Sequence, residues 1–129
     1  MKLLFWIWCF PQQLLGFIIS LFFGKRIVEI EKYKQSNIYW IKNWKRGVSL
    51  GQYVLLGDVY KSPELYNNTI KHEYGHTIQS LIFGPTYLII IALPSITMNI
   101  ISQLNKNFAK NYFKRWPENW ADKLGGVKR

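Results

Sequence analysis

At 129 residues the chain has the length of one domain, enough to bury a core and too short for two. Its 17 Lys and Arg against 7 Asp and Glu give a net charge of +10, while 49% of the residues are hydrophobic. The single cysteine, Cys9, excludes an internal disulfide framework and suits a buried apolar role; the greasy, basic balance points to an anionic membrane surface or nucleic acid as neighbour.

Residues 1–23 are apolar almost throughout and stop at Gly24-Lys25-Arg26, a length that suits a bilayer span. Pro11-Gln12-Gln13 interrupts the run, and amides at the bilayer centre are costly unless buried against protein. The expectation is a membrane-embedded helix broken near Pro11, with a pair of buried core helices as the plainer alternative. A cleaved signal peptide fits less well, because Lys2 is the only early cation and no small-x-small site follows. Trp6, Trp8 and Phe10 suit an interface or a core equally. Residues 27–56 read as a short antiparallel sheet of about three strands, 27–31, 38–42 and 48–56, with a turn at 34–37. In the third, Val48, Leu50, Val54 and Leu56 share a face with Gln52.

Ser62-Pro63-Glu64 looks like a capped helix start leading into a longer helix, for which Asn67 and Asn68 offer caps and Gly84-Pro85 a stop. That helix carries Lys71-His72-Glu73-Tyr74-Gly75-His76, with the chain's two histidines four apart. Positions i and i+4 share a helix face, so both imidazoles can reach one ion while Glu73 points aside. This is the HExxH arrangement of zinc hydrolases, in which Zn²⁺ takes three protein ligands and a water, and the glutamate is the base. The competing reading is a solvated helix face. Against it stand the absence of any other histidine and the placing of scarce acidic residues where a site needs them. Gly75 costs the helix roughly 1 kcal/mol relative to Ala, which calls either for room for a close neighbour, such as a substrate backbone or another strand, or for plain tight packing. Gln79 and Ser80 continue the histidine face and read as hydrogen-bonding partners of nearby backbone rather than as catalytic groups.

Residues 84–103 are apolar again, with Pro94-Ser95 in the middle. They read as a re-entrant hairpin, a buried helix broken at Pro94, or one of an even number of crossings, since a single crossing would separate the histidines from the tail. Residues 25–46 and 106–129 are both rich in Lys and Arg, which puts both on the cytoplasmic side. Lys106, Lys110, Lys114 and Arg115 alternate with Phe108, Tyr112, Phe113 and Trp116, as in a basic aromatic helix for a membrane surface or, less well supported, single-stranded nucleic acid.

Trp116-Pro117-Glu118-Asn119-Trp120-Ala121-Asp122 then forms a short helix that Gly125 ends, with Glu118 and Asp122 one turn apart. Asp122, Asp58 and Glu64 compete with Glu118 as third ligand. With the HExxH helix, this E-x-x-x-D resembles the gluzincin branch of HExxH metallopeptidases, the thermolysin-like group, over about a fifth of the chain. The resemblance implies His72, His76 and Glu118 as zinc ligands, Glu73 as base and Asp122 orienting His72. It implies an edge strand beside the metal helix, here 48–56, to which an extended peptide substrate adds. The group's transition-state-stabilising histidine or tyrosine has no histidine counterpart, which leaves Tyr112, Tyr74 and Tyr87.

The expectation is therefore an α+β zincin-like domain over residues 1–129, a short antiparallel sheet packed on a metal-binding helix, with apolar membrane-associated helices. The expected activity is zinc-dependent peptide hydrolysis. The alternatives are a non-catalytic membrane protein with a structural zinc site, and a basic membrane- or nucleic-acid-binding protein without metal.

Overall fold

A computed structural model describes residues 2–129; Met1, the first residue of the apolar run, lies outside the described residues. Helices α1 (Lys2–Trp8) and α2 (Phe10–Phe23) precede strands β1 (Ile27–Tyr33), β2 (Ser36–Ile41), β3 (Gly47–Leu50) and β4 (Tyr53–Gly57). Helices α3 (Tyr66–Phe83), α4 (Leu93–Leu104), α5 (Lys106–Lys110) and α6 (Glu118–Gly125) follow, so the fold is α+β.

The N-terminal apolar run is two helices of 7 and 14 residues, parted at Cys9 with Pro11 in the first turn of α2. A proline is tolerated there because the first-turn N–H groups have no intrahelical partner. No described helix is long and apolar enough to cross a membrane. Gln12 and Gln13 are buried against the protein, donating to the Gly84 carbonyl and the Gln52 side chain.

The sheet has the order β1-β2-β4-β3. It is mixed, not antiparallel throughout: β2 and β4 run parallel, and the other two pairs antiparallel. The expected third strand is a hairpin, turned back at Gly51, whose φ of +64° suits the first place of a two-residue turn. β3 thereby becomes the sheet edge and β4 enters the middle, which a continuous apolar pattern does not reveal. Ile38 and Trp40 of β2 and Val54 and Leu56 of β4 pack with Ile70 of α3. Burial of each aliphatic side chain in that set contributes roughly 1.5–3 kcal/mol. On the opposite face Tyr39 stacks on Tyr53, and α2 closes over Tyr53 at Gly16, where a Cβ would lie 2.6 Å from the tyrosine Cβ.

α3 starts without a side-chain cap; Asn67 and Asn68 fall inside its first turn, and the Ser62 carbonyl closes a turn instead of opening a lead-in helix. The stop at Gly84 takes φ of +55°, which glycine adopts without strain. Beyond it the chain is neither a hairpin nor broken at Pro94. A π-helical turn, Leu88–Ala92, runs straight into α4, with Pro94 in its first turn. The widened turn is a place where a missing N–H is tolerated. The basic aromatic stretch is not one helix either: α5 ends at Lys110, and Tyr112–Lys114 form a 3-10 turn.

Candidate metal centre

α3 and α6 cross in backbone contact. A Cβ at Gly75 would lie 1.9 Å from the Ala121 carbonyl oxygen, and one at Gly125 would lie 1.7 Å from the Lys71 carbonyl oxygen. Gly75 therefore makes room for another helix rather than for a substrate backbone. The approach puts Glu118 Oε2 2.7 Å from His72 Nε2 and 3.0 Å from His76 Nε2. Among the described residues these three buried side chains are the one group of His, Cys, Asp and Glu able to share an ion, their ligand atoms lying within 4.8 Å of one another. Asp58 instead accepts from the Asn43 N–H, and Glu64 lines a neighbouring cavity.

The hydrogen bonds around the histidines decide which way their lone pairs point. Gln79 Nε2 donates to the Pro117 carbonyl, so its Oε1 faces His76 and accepts from Nδ1 at 2.7 Å. His72 Nδ1 donates to Asp122 Oδ1 at 2.7 Å. With each Nδ1 proton engaged, both Nε2 lone pairs face the Glu118 carboxylate. Three acceptors converge with no donor between them, which only a proton or a cation makes favourable. Two imidazoles and one carboxylate, buried and supported by outer hydrogen bonds, are a donor set that fits Zn²⁺ with one position left open.

Without a metal, a proton on His72 takes the cation's place, and Nε2 then donates to Glu118. Burial lowers the His72 pKa, but hydrogen bonds to Asp122 and Glu118 outweigh it and lift it to about 9. Burial pushes the Glu118 carboxyl up, and the charge of His76 with hydrogen bonds from both histidines overcomes it, holding the group well below the usual carboxylate range. Asp122 is lowered as well: its partial burial is outweighed by bonds from His72 and Arg129. Glu73, beside them, makes none of these contacts. Its burial raises its pKa against the opposing histidine charges.

Glu73 lies under the sheet edge: a Cβ at Gly47 of β3 would stand 3.1 Å from its Oε1. Of the expected edge strand, only the β3 half, Gly47–Leu50, fills that place. Thr77 couples sheet to helix, its hydroxyl 2.8 Å from that of Ser36. A cavity of about 390 Å³ reaches His72, Glu73 and His76 and is walled by Ile19, Phe22 and Phe23 of α2 and Ile96 and Ile100 of α4. A second, of about 250 Å³, shares Gly47, His72, Glu73, Asn99 and Tyr112 with the first.

Of the three tyrosines, Tyr74 donates to Gln35, and Tyr87 donates to the Ser49 carbonyl at 2.8 Å. Tyr112 lines both cavities, and burial together with the Glu118 charge raises its pKa. Cys9 is buried, and burial pushes its thiol up to about 11.

Three contributors escape the sequence reading. Ser95 Oγ donates to Glu118 Oε1; the sole hint is a serine after proline in an apolar run. Arg129 clamps Asp122 through Nε at 2.6 Å and Nη2 at 3.1 Å, and its guanidinium lies 3.5 Å over the Phe113 ring. Phe113 sets its ring edge-on to His72 at 5.1 Å. No spacing rule connects either residue to α3. The chain matches no protein-family model, no curated protein and no solved structure.

Proposed function

We propose that the chain is a zinc-dependent metallopeptidase of the HExxH type, gluzincin-like in its ligand set, associated with a membrane and acting on the cytoplasmic side. One observation carries the reading: His76 and Glu118, 42 residues apart, meet with His72 so that two imidazole lone pairs and a carboxylate converge beside a free buried carboxylate. A zinc ion held there supplies, when bound, Lewis-acid polarisation of a water and of the substrate carbonyl. Glu73 takes the water proton onto a carboxylate oxygen and returns it to the leaving amine, a role that its raised pKa suits. The outward edge of β3 aligns an extended peptide by main-chain hydrogen bonds. Tyr112 remains protonated and donates to the carbonyl oxygen as it gains charge.

The second reading is a structural zinc that staples α3 to α6. Structural sites are closed by four protein ligands, whereas three converge here and a cavity reaches them. Glu73→Gln separates the two. It is expected to keep stoichiometric zinc and lose peptide hydrolysis by a factor on the order of 10²–10⁴. His76→Ala is expected to lose the metal. Undiminished hydrolysis by Glu73→Gln ends the peptidase reading, and wild-type protein purified without zinc ends both.

A further inference from the structure

α2 is built inside out. Gln12, Gln13, Gly16 and Ser20 are its buried residues, whereas Leu14, Leu15, Phe17, Ile18, Leu21 and Phe22 face outward. A helix on a water-facing surface arranges itself the other way round. The hydrogen bonds of Gln12 and Gln13 to Gly84 and Gln52 hold the polar stripe inward, so this orientation is built into the packing. α4 repeats the pattern: none of its residues is buried, Ser95 and Asn99 line the cavity of the metal centre, and Leu93, Ile96, Ile100 and Leu104 are exposed. Phe22 at 88% and Leu104 at 84% exposure are far beyond what scattered surface leucines and phenylalanines require.

Both helices also help wall the cavity: Phe22, Ile96 and Ile100 are exposed and line it, so the exposed apolar surface reaches the rim of its mouth. Positive charge gathers at their ends. α2 runs into Lys25 and Arg26, and Arg26 donates to the Lys42 and Asn43 carbonyls. Arg46, four residues on from Lys42, donates to Gln103 near the end of α4, which Lys106 follows. Lys25, Arg26, Lys42, Lys45 and Arg46 are all exposed. An apolar face bordered by cations complements an anionic leaflet, whose interior takes the side chains while its headgroups take the charges. Neither α2 nor the helical run that ends in α4 is long and apolar enough to cross a membrane; both suit lying in the plane of one leaflet.

We propose that the α2–α4 face seats on an anionic leaflet with the mouth of the metal-centre cavity opening into it, and that the substrate is a peptide segment already anchored in that leaflet. The substrate clause rests on the peptidase reading; the seating does not. Spin labels at Phe22→Cys and Ile100→Cys report the mouth, and one at Lys123→Cys, exposed on α6, reports a surface outside α2 and α4, with Cys9 buried and unlabelled. Added vesicles of phosphatidylcholine with phosphatidylglycerol are expected to open the mouth labels to oxygen and close them to an aqueous nickel chelate, leaving the Lys123 label unchanged. Lys25→Gln and Lys45→Gln are each expected to weaken vesicle binding roughly fivefold. Mouth labels that stay in water on bound protein overturn the seating, as does equal binding to phosphatidylcholine alone. Labels closed to both reagents show a second copy covering the face, which also overturns it. A peptide carrying an apolar anchor is expected to be cleaved on the order of a hundredfold faster on vesicles than its unanchored form in solution. Equal rates remove the substrate clause. Cleavage of neither removes that clause with the peptidase reading, and the labels alone then decide the seating.

Discussion

Gly75 of α3 meets Ala121 of α6 backbone to backbone, with 1.9 Å between a Cβ built on the glycine and the alanine carbonyl oxygen. In an isolated helix Gly75→Ala adds about 1 kcal/mol of helix stability. Here the methyl must push a carbonyl aside, and overpacking of this kind costs about 1–3 kcal/mol. The helices then part, and Glu118 leaves the histidines. Gly75→Ala is expected to lower the thermal midpoint and weaken zinc binding together. A variant more stable than wild type with a full zinc complement would show that the crossing does not set the ligand geometry.

Arg129 and Asp122 form a relay behind His72. Asp122→Asn keeps the shape but weakens the acceptor for the Nδ1 proton, and loss of such a partner typically lowers metal affinity 10–100-fold. Arg129→Gln is expected to lower it less, since the carboxylate stays in place. If Arg129 acts through Asp122, its substitution changes little in the Asp122→Asn background. Zinc titrations of the two single variants and the double variant test this; additive losses would assign Arg129 a separate role, such as holding Phe113.

The part of this site legible in the sequence is the part that helix periodicity governs. His72, Glu73 and His76 lie on one helix, Glu118 and Asp122 on another, and i, i+4 spacing places each pair on a common side. What brings the two helices together is tertiary and depends on Gly75 and Gly125, whose need for space shows only once the partner backbone is present. The sheet was less legible for a related reason. Gly51-Gln52 interrupts a run whose apolar side chains continue on either side, so one long strand and a tight hairpin share the same pattern, and the parallel pairing of β2 with β4 follows from that hidden turn. The apolar helices are ambiguous because hydrophobicity alone does not say which face turns inward. In α2 it is the polar one.

The metal-free protein should lose stability toward alkaline pH. The folded-state pKa of His72, about 9, stands above its ordinary 6.5, so its contribution is complete below 6.5 and disappears as the pH rises through 9. The size is on the order of 3 kcal/mol. Glu118 and Asp122 are depressed, so their share is present above the ordinary carboxylate range and lost as the pH falls. Glu73 is raised and acts in the His72 direction, giving up its share as it ionises. In chelator, the thermal midpoint is expected to peak near pH 5–6 and decline toward 9. Zinc needs His72 deprotonated, so it should release protons on binding near pH 7 and remove the alkaline decline. A midpoint flat from pH 6 to 9 in chelator contradicts the protonated His72–Glu118 contact.

In the proposed mechanism, substrate alignment and proton transfer meet at Gly47. It stands on the edge strand, with Glu73 Oε1 3.1 Å and Leu56 Cδ2 2.7 Å from the place a Cβ would take. A valine there presses on both. The Leu56 side costs stability, about 1–3 kcal/mol by overpacking. The Glu73 side displaces the proposed base without touching a proposed ligand, and a misplacement of about 1 Å is enough to cost on the order of 10² in rate. Gly47→Val is therefore expected to bind zinc as wild type does while kcat/KM for a peptide substrate falls about a hundredfold, with Gly47→Ala in between. Zinc loss in step with activity would mean that the strand supports the ligands rather than the base. Unchanged turnover with valine would place the reacting peptide away from β3, because a strand crowded at its one glycine beside Glu73 could not still align it.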